Sequence, residues 1–433
     1  MPKRYLLIGV MVLLSMILYI DRSVIATVKE DMTNELGFSN FQIGLVFSIF
    51  GFAYALGQTP GGWLADRFGS RRTLTVVIMI WSIFTTLTGV VRNFASMLSV
   101  RFLFGLGEAG AYPAMARGIY SWLPQSERGL AHGLNFSGGR IGAAISFPIA
   151  VFMLSFLSWQ QMFWILGGLG VLMGVGWHFW FRDDPSEHPG ITDEELQWIQ
   201  SDRAITDSAA VKTPGLTAKQ LLTNKNMCLL MGQYICSNFT FFFMLSWSFS
   251  YLKTTYDLTL STAALYNGTA LFFGAVGNWV AGYLIDRLYK RGNWIASRRF
   301  PAIIGFLLAA IGMVTSAHMD SAVAAVAFIA LAVFGADMTL SPSWSTANDI
   351  GQTNSGVVSG TMNMAGNLGG SCLMPLVFPI LQDMAGSATP FFYLAAGLNV
   401  AAVGMWCMIQ PDQPIVGSTN SSESTDLLDS KLD

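Results

Sequence analysis

RFLFGLGEAGAYP, Arg101 to Pro113, decides how this chain is read, because it sets two full charges inside an otherwise apolar run. Apolar residues flank it from Phe94 to Trp122, long enough at about 1.5 Å of rise per residue to cross a bilayer core of about 30 Å. A charge at the centre of such a helix costs roughly 2.5 to 3.5 kcal/mol, so it faces a partner or a watery cavity rather than lipid. Arg101 and Glu108 lie two turns apart and return to nearly one face. They line one path, but the rise of about 10 Å between them rules out an ion pair with each other.

The rest of the composition agrees with a membrane protein. Of 433 residues, 52% are hydrophobic and 12% are charged, about half the charge of an ordinary soluble domain. Lys and Arg sit in short clusters between apolar runs, so the net charge of −2 implies no nucleic-acid partner. Cys228, Cys236, Cys372 and Cys407 lie in or beside apolar segments and read as packing residues; no histidine pair has a ligand spacing, and no metal is expected.

The first apolar run carries on through Asp21 and Arg22 to Val28 without a cleavage signature, so it is a span rather than a signal peptide. Eleven more follow, near 42–64, 73–91, 95–121, 130–157, 162–181, 227–251, 262–285, 300–318, 322–345, 356–381 and 388–410. The predicted fold is therefore all-α, twelve transmembrane helices in two six-helix halves, 1–181 and 227–410. A polar cytoplasmic linker, 182–226, joins them, and a Ser- and Asp-rich tail, 411–433, is expected to be disordered. Seventeen of the 24 Lys and Arg fall on the N-terminal side, Arg203, Lys212 and Lys431 among them. Three (Lys29, Arg92, Lys253) fall on the other side, and Arg22, Arg101, Arg117 and Arg140 belong to spans. That bias puts both termini in the cytoplasm. GWLADRFGSRR at 62–72 and GYLIDR at 282–287 repeat one pattern 220 positions apart, as expected of a duplicated half with its site at the midplane.

The first of those strings resembles the loop signature of the major facilitator superfamily, matching it at Gly62, Asp66, Arg67, Gly69, Arg71 and Arg72. With Asp286 and Arg287 of the repeat, these residues form a candidate conformational latch. Asp66 would sit where helix ends meet, holding basic residues and a positive helix N-terminus in one state and releasing them in the other. YIDR (19–22), the Arg101–Pro113 stretch, WLPQSERG (122–129) and GTMNMAGNLGG (360–370) resemble the anion:cation symporter family over essentially the whole chain. That family includes bacterial sugar-acid carriers and, in animals, sialin and the vesicular glutamate transporters. The resemblance implies proton-coupled import of an organic anion, with the proton as coupling ion and no other cofactor. It implies proton-carrier roles for Asp21 and Glu108, charge-partner roles for Arg22 and Arg101, and substrate contacts at Tyr19, Tyr54 and Asn363.

Depth counted from helix rise makes its own predictions. Asp21, about 24 Å from the cytoplasmic end of span 1, and Arg101, about 9 Å below the outer end of span 4, fall at similar depth and are expected to pair. Glu108 and Arg140 fall near the midplane. Arg140 has no acid in its own span and small neighbours, so it is the first candidate for the substrate carboxylate, with Arg101 second; its other reading is neutralisation of Glu108. Asp337 departs from the family pattern and is either a third proton site or a kink partner for Ser341 and Pro342. Arg117 reads as a snorkelling residue. Asn238, Ser343, Asn363 and Asn367 are polar positions within reach of a polyol, and Trp247 or Trp344 could stack on a sugar face. Glycine pairs in spans 2, 5 and 11 are read as sliding faces between the halves.

Together these readings describe a carrier of sugar acids (hexonates, hexarates or hexuronates) working by alternating access. Protons neutralise Asp21 and Glu108, freeing arginine charge for the anion. The competing reading, efflux of an amphiphilic compound, needs a large apolar pocket and sits poorly with buried arginines. No nucleophile and base constellation points to an enzyme. A monomer in a bacterial inner membrane is expected.

Overall fold

The computed structural model describes residues 2–38, 40–201 and 215–415; Arg203, Lys212, Lys431 and the tail from 416 lie outside the described residues. Span 1 is Lys3–Thr27, and spans 2 and 3 share one helical stretch, Asn40–Thr88. They part at Gly69, whose φ of 81° permits the reversal that a side chain would strain. Span 4 is Phe94–Glu108 with Ala111–Trp122, span 5 Arg128–Leu154, span 6 Trp159–Trp180, span 7 Lys225–Ser246, span 8 Leu260–Lys290 and span 9 Trp294–Ser316. Span 10 is Ala322–Met338 with Leu340–Gly351, span 11 runs from Ser355 to Ala385 through a π-helical turn at Leu368–Leu373, and span 12 is Thr389–Met408. Among the described residues, nine stretches are long and apolar enough to cross a membrane. Two of these double back, and span 4 makes the twelfth crossing from its two pieces.

The starts of these helices are written in the sequence. Asn93 with Ser96 and Ser158 with Gln161 form capping boxes that satisfy the first free N–H groups of spans 4 and 6. The breaks have a sequence cause too. Pro113 sits four residues beyond the break at Ala109, and Pro342 four residues beyond Met338, the last residue before the break in its span. A proline in a helix lacks its N–H and clashes with the carbonyl four residues back. Spans 4 and 10 are therefore bent alike, and Pro375 stands in the same relation to the π turn of span 11. These bends flank the molecule's centre, where the charged residues lie.

Spans 1 to 6 pack together, as do 7 to 12, and the two groups meet chiefly along span 2 against span 11 and span 5 against span 8. The glycines explain the closeness of both seams. A Cβ on Gly62 would run into the Gly356 backbone carbonyl, and one on Gly282 would meet that of Gly129 at 2.9 Å. The sliding-face reading of the glycine pairs needs correction. Gly356 and Gly360 do face span 2, but Gly57 and Gly61 pack on span 4, Gly138 and Gly142 on span 1, and Gly366 and Gly370 on span 7, all within one group. They let adjacent backbones approach inside each half.

Candidate functional site

At the end of the molecule that carries Lys3 and Ile415, the two groups are tied together by matched contacts. The Asp66 carboxylate accepts from the backbone N–H of Gly356 at 2.8 Å and of Val357 at 2.6 Å, at the start of span 11. Asp286, its counterpart in the repeat, accepts from Gly129 and Leu130 at the start of span 5, both at 3.0 Å. Each carboxylate thus meets the positive end of a helix dipole from the opposite half. Asp349 is held by Arg298 at 2.8 Å and by Arg128, from the other half, at 3.6 Å. Asn348 and His132 meet at 3.0 Å, also across the seam. Arg117 is not a snorkelling residue: its Nε stands 3.8 Å from Asp66. Of the other latch candidates, Arg71 holds the His178 carbonyl and the Asp183 carboxylate within its own half. Arg67 and Arg72 are exposed, and Arg287 lies on Tyr283 of its own helix.

Above this plug, a cavity of about 480 Å³ lies between the halves and extends toward the opposite end, past Ser23, Phe47 and Leu245. Tyr19, Arg22, Tyr54, Arg101, Arg140, Asn238, Asp337, Asn363 and Asn367 all line it. Arg22 Nε donates to Glu108 Oε2 at 2.8 Å, and its guanidinium lies 4.1 Å from the Tyr54 ring and 5.1 Å from the Tyr19 ring. Glu108 is fully buried behind it, and its Oε1 has no hydrogen-bond partner. Arg101 is wedged between Phe50 and Phe104. Asn363 donates to Gln58 across the seam, and Asn367 donates to Asn363.

Three expected arrangements are corrected. No ion pair joins Asp21 to Arg101 among the described residues; Asp21 is buried and accepts from Thr85 Oγ1 at 3.4 Å. Side chains lean toward the N-terminus of their helix. Spans 1 and 4 run in opposite directions, so Asp21 and Arg101, which helix rise puts at similar depth, lean apart. Arg22 and Glu108, which start at different depths, lean together. Arg140 does not neutralise Glu108. Its Nε and Nη2 clasp Asp337 Oδ2 and Oδ1 at 2.8 and 2.7 Å, a two-pronged pair across the halves. Asp337 is consequently an ion-pair partner rather than a kink partner of Ser341, whose hydroxyl oxygen is buried without a hydrogen bond. Ser343 and Trp247 lie outside the cavity: Ser343 bonds Thr339 and Gln233, and Trp247 donates to the Pro375 carbonyl. Trp344 does line the cavity, donating to Tyr234 at 2.9 Å. Sequence reasoning missed the aromatic lining, Tyr112, Phe136, Tyr234 and Phe241. In a chain with 13% aromatic residues they carry no signal that separates lining from packing.

Residues 11–374 match the Major Facilitator Superfamily. The chain belongs to it. It is a membrane transporter and not an enzyme. Among curated proteins it is 33% identical over 403 residues to the "Probable sulfoacetate transporter SauU" of Cupriavidus necator, covering 92% of each chain. It is 31% identical over 411 residues to the "D-galactonate transporter" of Escherichia coli, covering 93% of this chain and 94% of that one. To the "Probable galactarate/D-glucarate transporter GarP" of Escherichia coli K12 it is 31% identical over 395 residues, covering 87% and 88%. In fold it is similar to the proton:xylose symporter XylE, with a TM-score of 0.76 at 16% identity over 94% of this chain and 96% of that one. The fucose:proton symporter FucP of Escherichia coli gives 0.67 at 14% identity, over 93% and 98%.

Proposed function

We propose that this transporter imports an organic anion of the sugar-acid class by proton symport and alternating access. The observation that carries the reading is the Arg22–Glu108 pair: a buried carboxylate whose only ion-pair partner among the described residues is an arginine facing the cavity. An anionic cargo drawn to Arg22 leaves Glu108 buried without its cation, an arrangement that costs about 3 to 5 kcal/mol. A proton taken up by Glu108 removes that cost, so cargo and proton bind together. Asp21, with one oxygen unpartnered and Arg101 beyond contact, is the second proton carrier. Asn238, Asn363, Asn367, Tyr19 and Tyr54 present the amide and hydroxyl groups that a polyol chain requires. The sugar-acid and sulfoacetate carriers among its relatives support the class of cargo.

The 17-to-3 distribution of Lys and Arg supports a cytoplasmic assignment for the end with both termini, in a bacterial inner membrane. The Asp66 and Asp286 contacts then latch the cytoplasmic side while the cavity faces outward. The halves that rock are 1–181 and 227–410, with 182–226 as the tether, and the unit is a monomer with the proton as its coupling ion and no other cofactor. Inside, higher pH strips the protons and the cargo leaves. Glu108 re-pairs with Arg22, and the empty carrier returns. Uptake of labelled sugar acids and sulfoacetate into proteoliposomes, with and without an inward proton gradient and with sodium excluded, tests this. Accumulation of one acid only under the gradient is expected; uptake that ignores the gradient and follows sodium overturns the proton roles.

A further inference from the structure

Three arginines and three carboxyl groups lie at or behind the cavity wall: Arg22, Arg101 and Arg140 with Asp21, Glu108 and Asp337. Ionised throughout, the set is neutral, so it accepts an anion only by releasing one of its own carboxylates. In spans 1 and 4 the set has slack, since Glu108 Oε1, Arg22 Nη2 and Arg101 Nε are buried without hydrogen-bond partners. The Arg140–Asp337 fork has none. Both carboxylate oxygens are held, and the Phe241 ring covers the guanidinium at 3.7 Å. An arginine that clasps a carboxylate this way, on the wall of the cavity, already holds the kind of group an acidic cargo presents.

The titratable groups that act on this pair are tyrosines: Tyr19 from span 1, Tyr112 from span 4 and Tyr234 from span 7. Span 8 brings Gly274 against the Asp337 carboxylate, and its charged residues, Asp286, Arg287 and Lys290, lie at its far end. No second cation among the described residues stands ready to hold Asp337 if Arg140 is taken from it, so at 1% exposure it must leave as the neutral acid. Tyr19 stands between this pair and Arg22. Its ring lies 5.1 Å from the Arg22 guanidinium and packs on Gly139, the neighbour of Arg140.

We propose that Arg140 and Asp337 form a second anion subsite, in which the far anionic group of a dianionic cargo replaces protonated Asp337 on Arg140 while Arg22 and Arg101 hold the near one. This rests on the organic-anion reading and narrows it to acids charged at both ends. A hydroxymethyl group at the far end does not displace a two-pronged ion pair, so the monoanion of the same length is rejected. Asp337 belongs to the second half and Arg140 to the first, so the exchange also unties the halves at the midplane.

The test is binding to the purified, lipid-reconstituted protein of two probe pairs: galactarate against galactonate, and sulfoacetate against isethionate. Each pair differs only by a carboxylate in place of a hydroxymethyl group. Wild type is expected to bind one dianion about tenfold or more tighter than its monoanion, and more tightly as pH falls. Asp337→Asn is expected to bind that dianion about tenfold tighter than wild type at pH 8, with one fewer proton taken up per dianion. Asp337→Glu, which restores the carboxyl group, is expected to restore the proton uptake. Equal wild-type affinities within both pairs, unchanged proton uptake in Asp337→Asn, or loss of all binding in a variant that melts like wild type each overturn the proposal and leave the organic-anion reading standing. Failure of folded wild type to bind any of the four overturns that reading as well.

Discussion

The ties at the end that carries Lys3 and Ile415 and the cavity between the halves are built by opposite rules. At that end, each half gives a carboxylate and receives one. Asp66 binds the start of span 11, Asp286 binds the start of span 5, and a glycine pair beside each lets the backbones touch. In the cavity the symmetry is gone: all three arginines come from the first half, while the second brings asparagines, Tyr234, Trp344 and the lone acid Asp337. The halves' likeness is kept where they close on each other and is lost where they line the cavity.

The sharpest way to break the comparison is at the cavity. Arg140→Ala strands a buried carboxylate, and about 3 to 5 kcal/mol of stability is expected to go with it, read as a fall in melting temperature; a fall worth less than about 1 kcal/mol contradicts the tight clasp. Second in size are the latch carboxylates. Asp66→Asn or Asp286→Asn weakens two charge-assisted hydrogen bonds, and each variant is expected to destabilise the closed end by about 1.5 to 3 kcal/mol. Thiol labelling of a cysteine introduced at a residue buried within the plug measures that opening. The two losses should add, because the carboxylates share no partner; a double variant no more open than either single one contradicts two independent ties.

Gly62→Ala and Gly282→Ala come next, at about 1 to 3 kcal/mol from overpacking. Gly62→Ala is expected to be the worse of the two, since its Cβ meets the facing carbonyl more closely; equal labelling rates would show that the seams give equally. The smallest effect belongs to Asp183, beyond the end of span 6, which braces the Gly69 turn by accepting from Arg71 N–H at 2.9 Å. Partial burial raises its carboxyl above the usual range, against the pull of the Arg71 and Ser70 N–H groups. The folded state therefore holds this proton more tightly than the unfolded chain. The associated stability is full below about pH 4 and is lost as pH rises through the raised value. Asp183→Asn, whose side-chain oxygen still accepts, is expected to shift stability by less than about 1 kcal/mol and to flatten the melting temperature's slope in that range.

The class of fold was legible because a charged pattern in apolar runs of bilayer length has few other meanings. That Asp66 would meet a helix start was legible in Gly62–Arg72, and Asp286 repeats it. The arginines of that stretch were over-read, since Arg67 and Arg72 point outward and Arg71 serves its own half. The ion pairs were the least legible. Rise fixes the depth of a Cα atom, whereas contact depends on where a long side chain leans, and Arg22 and Glu108 met by leaning together. Arg140 and Asp337 lie 197 positions apart, and nothing local to either residue signals the other.

Proton coupling through Glu108 is tested most directly by Glu108→Gln in proteoliposomes, assayed two ways with the transported acid. One assay is accumulation driven by an inward proton gradient; the other is counterflow, in which internal unlabelled acid exchanges for external label without a gradient. Glutamine keeps the shape and a hydrogen bond to Arg22 but cannot exchange a proton. Accumulation is expected to vanish while counterflow continues at a measurable rate. Equal loss of both would contradict the coupling role and reduce Glu108 to a structural partner of Arg22.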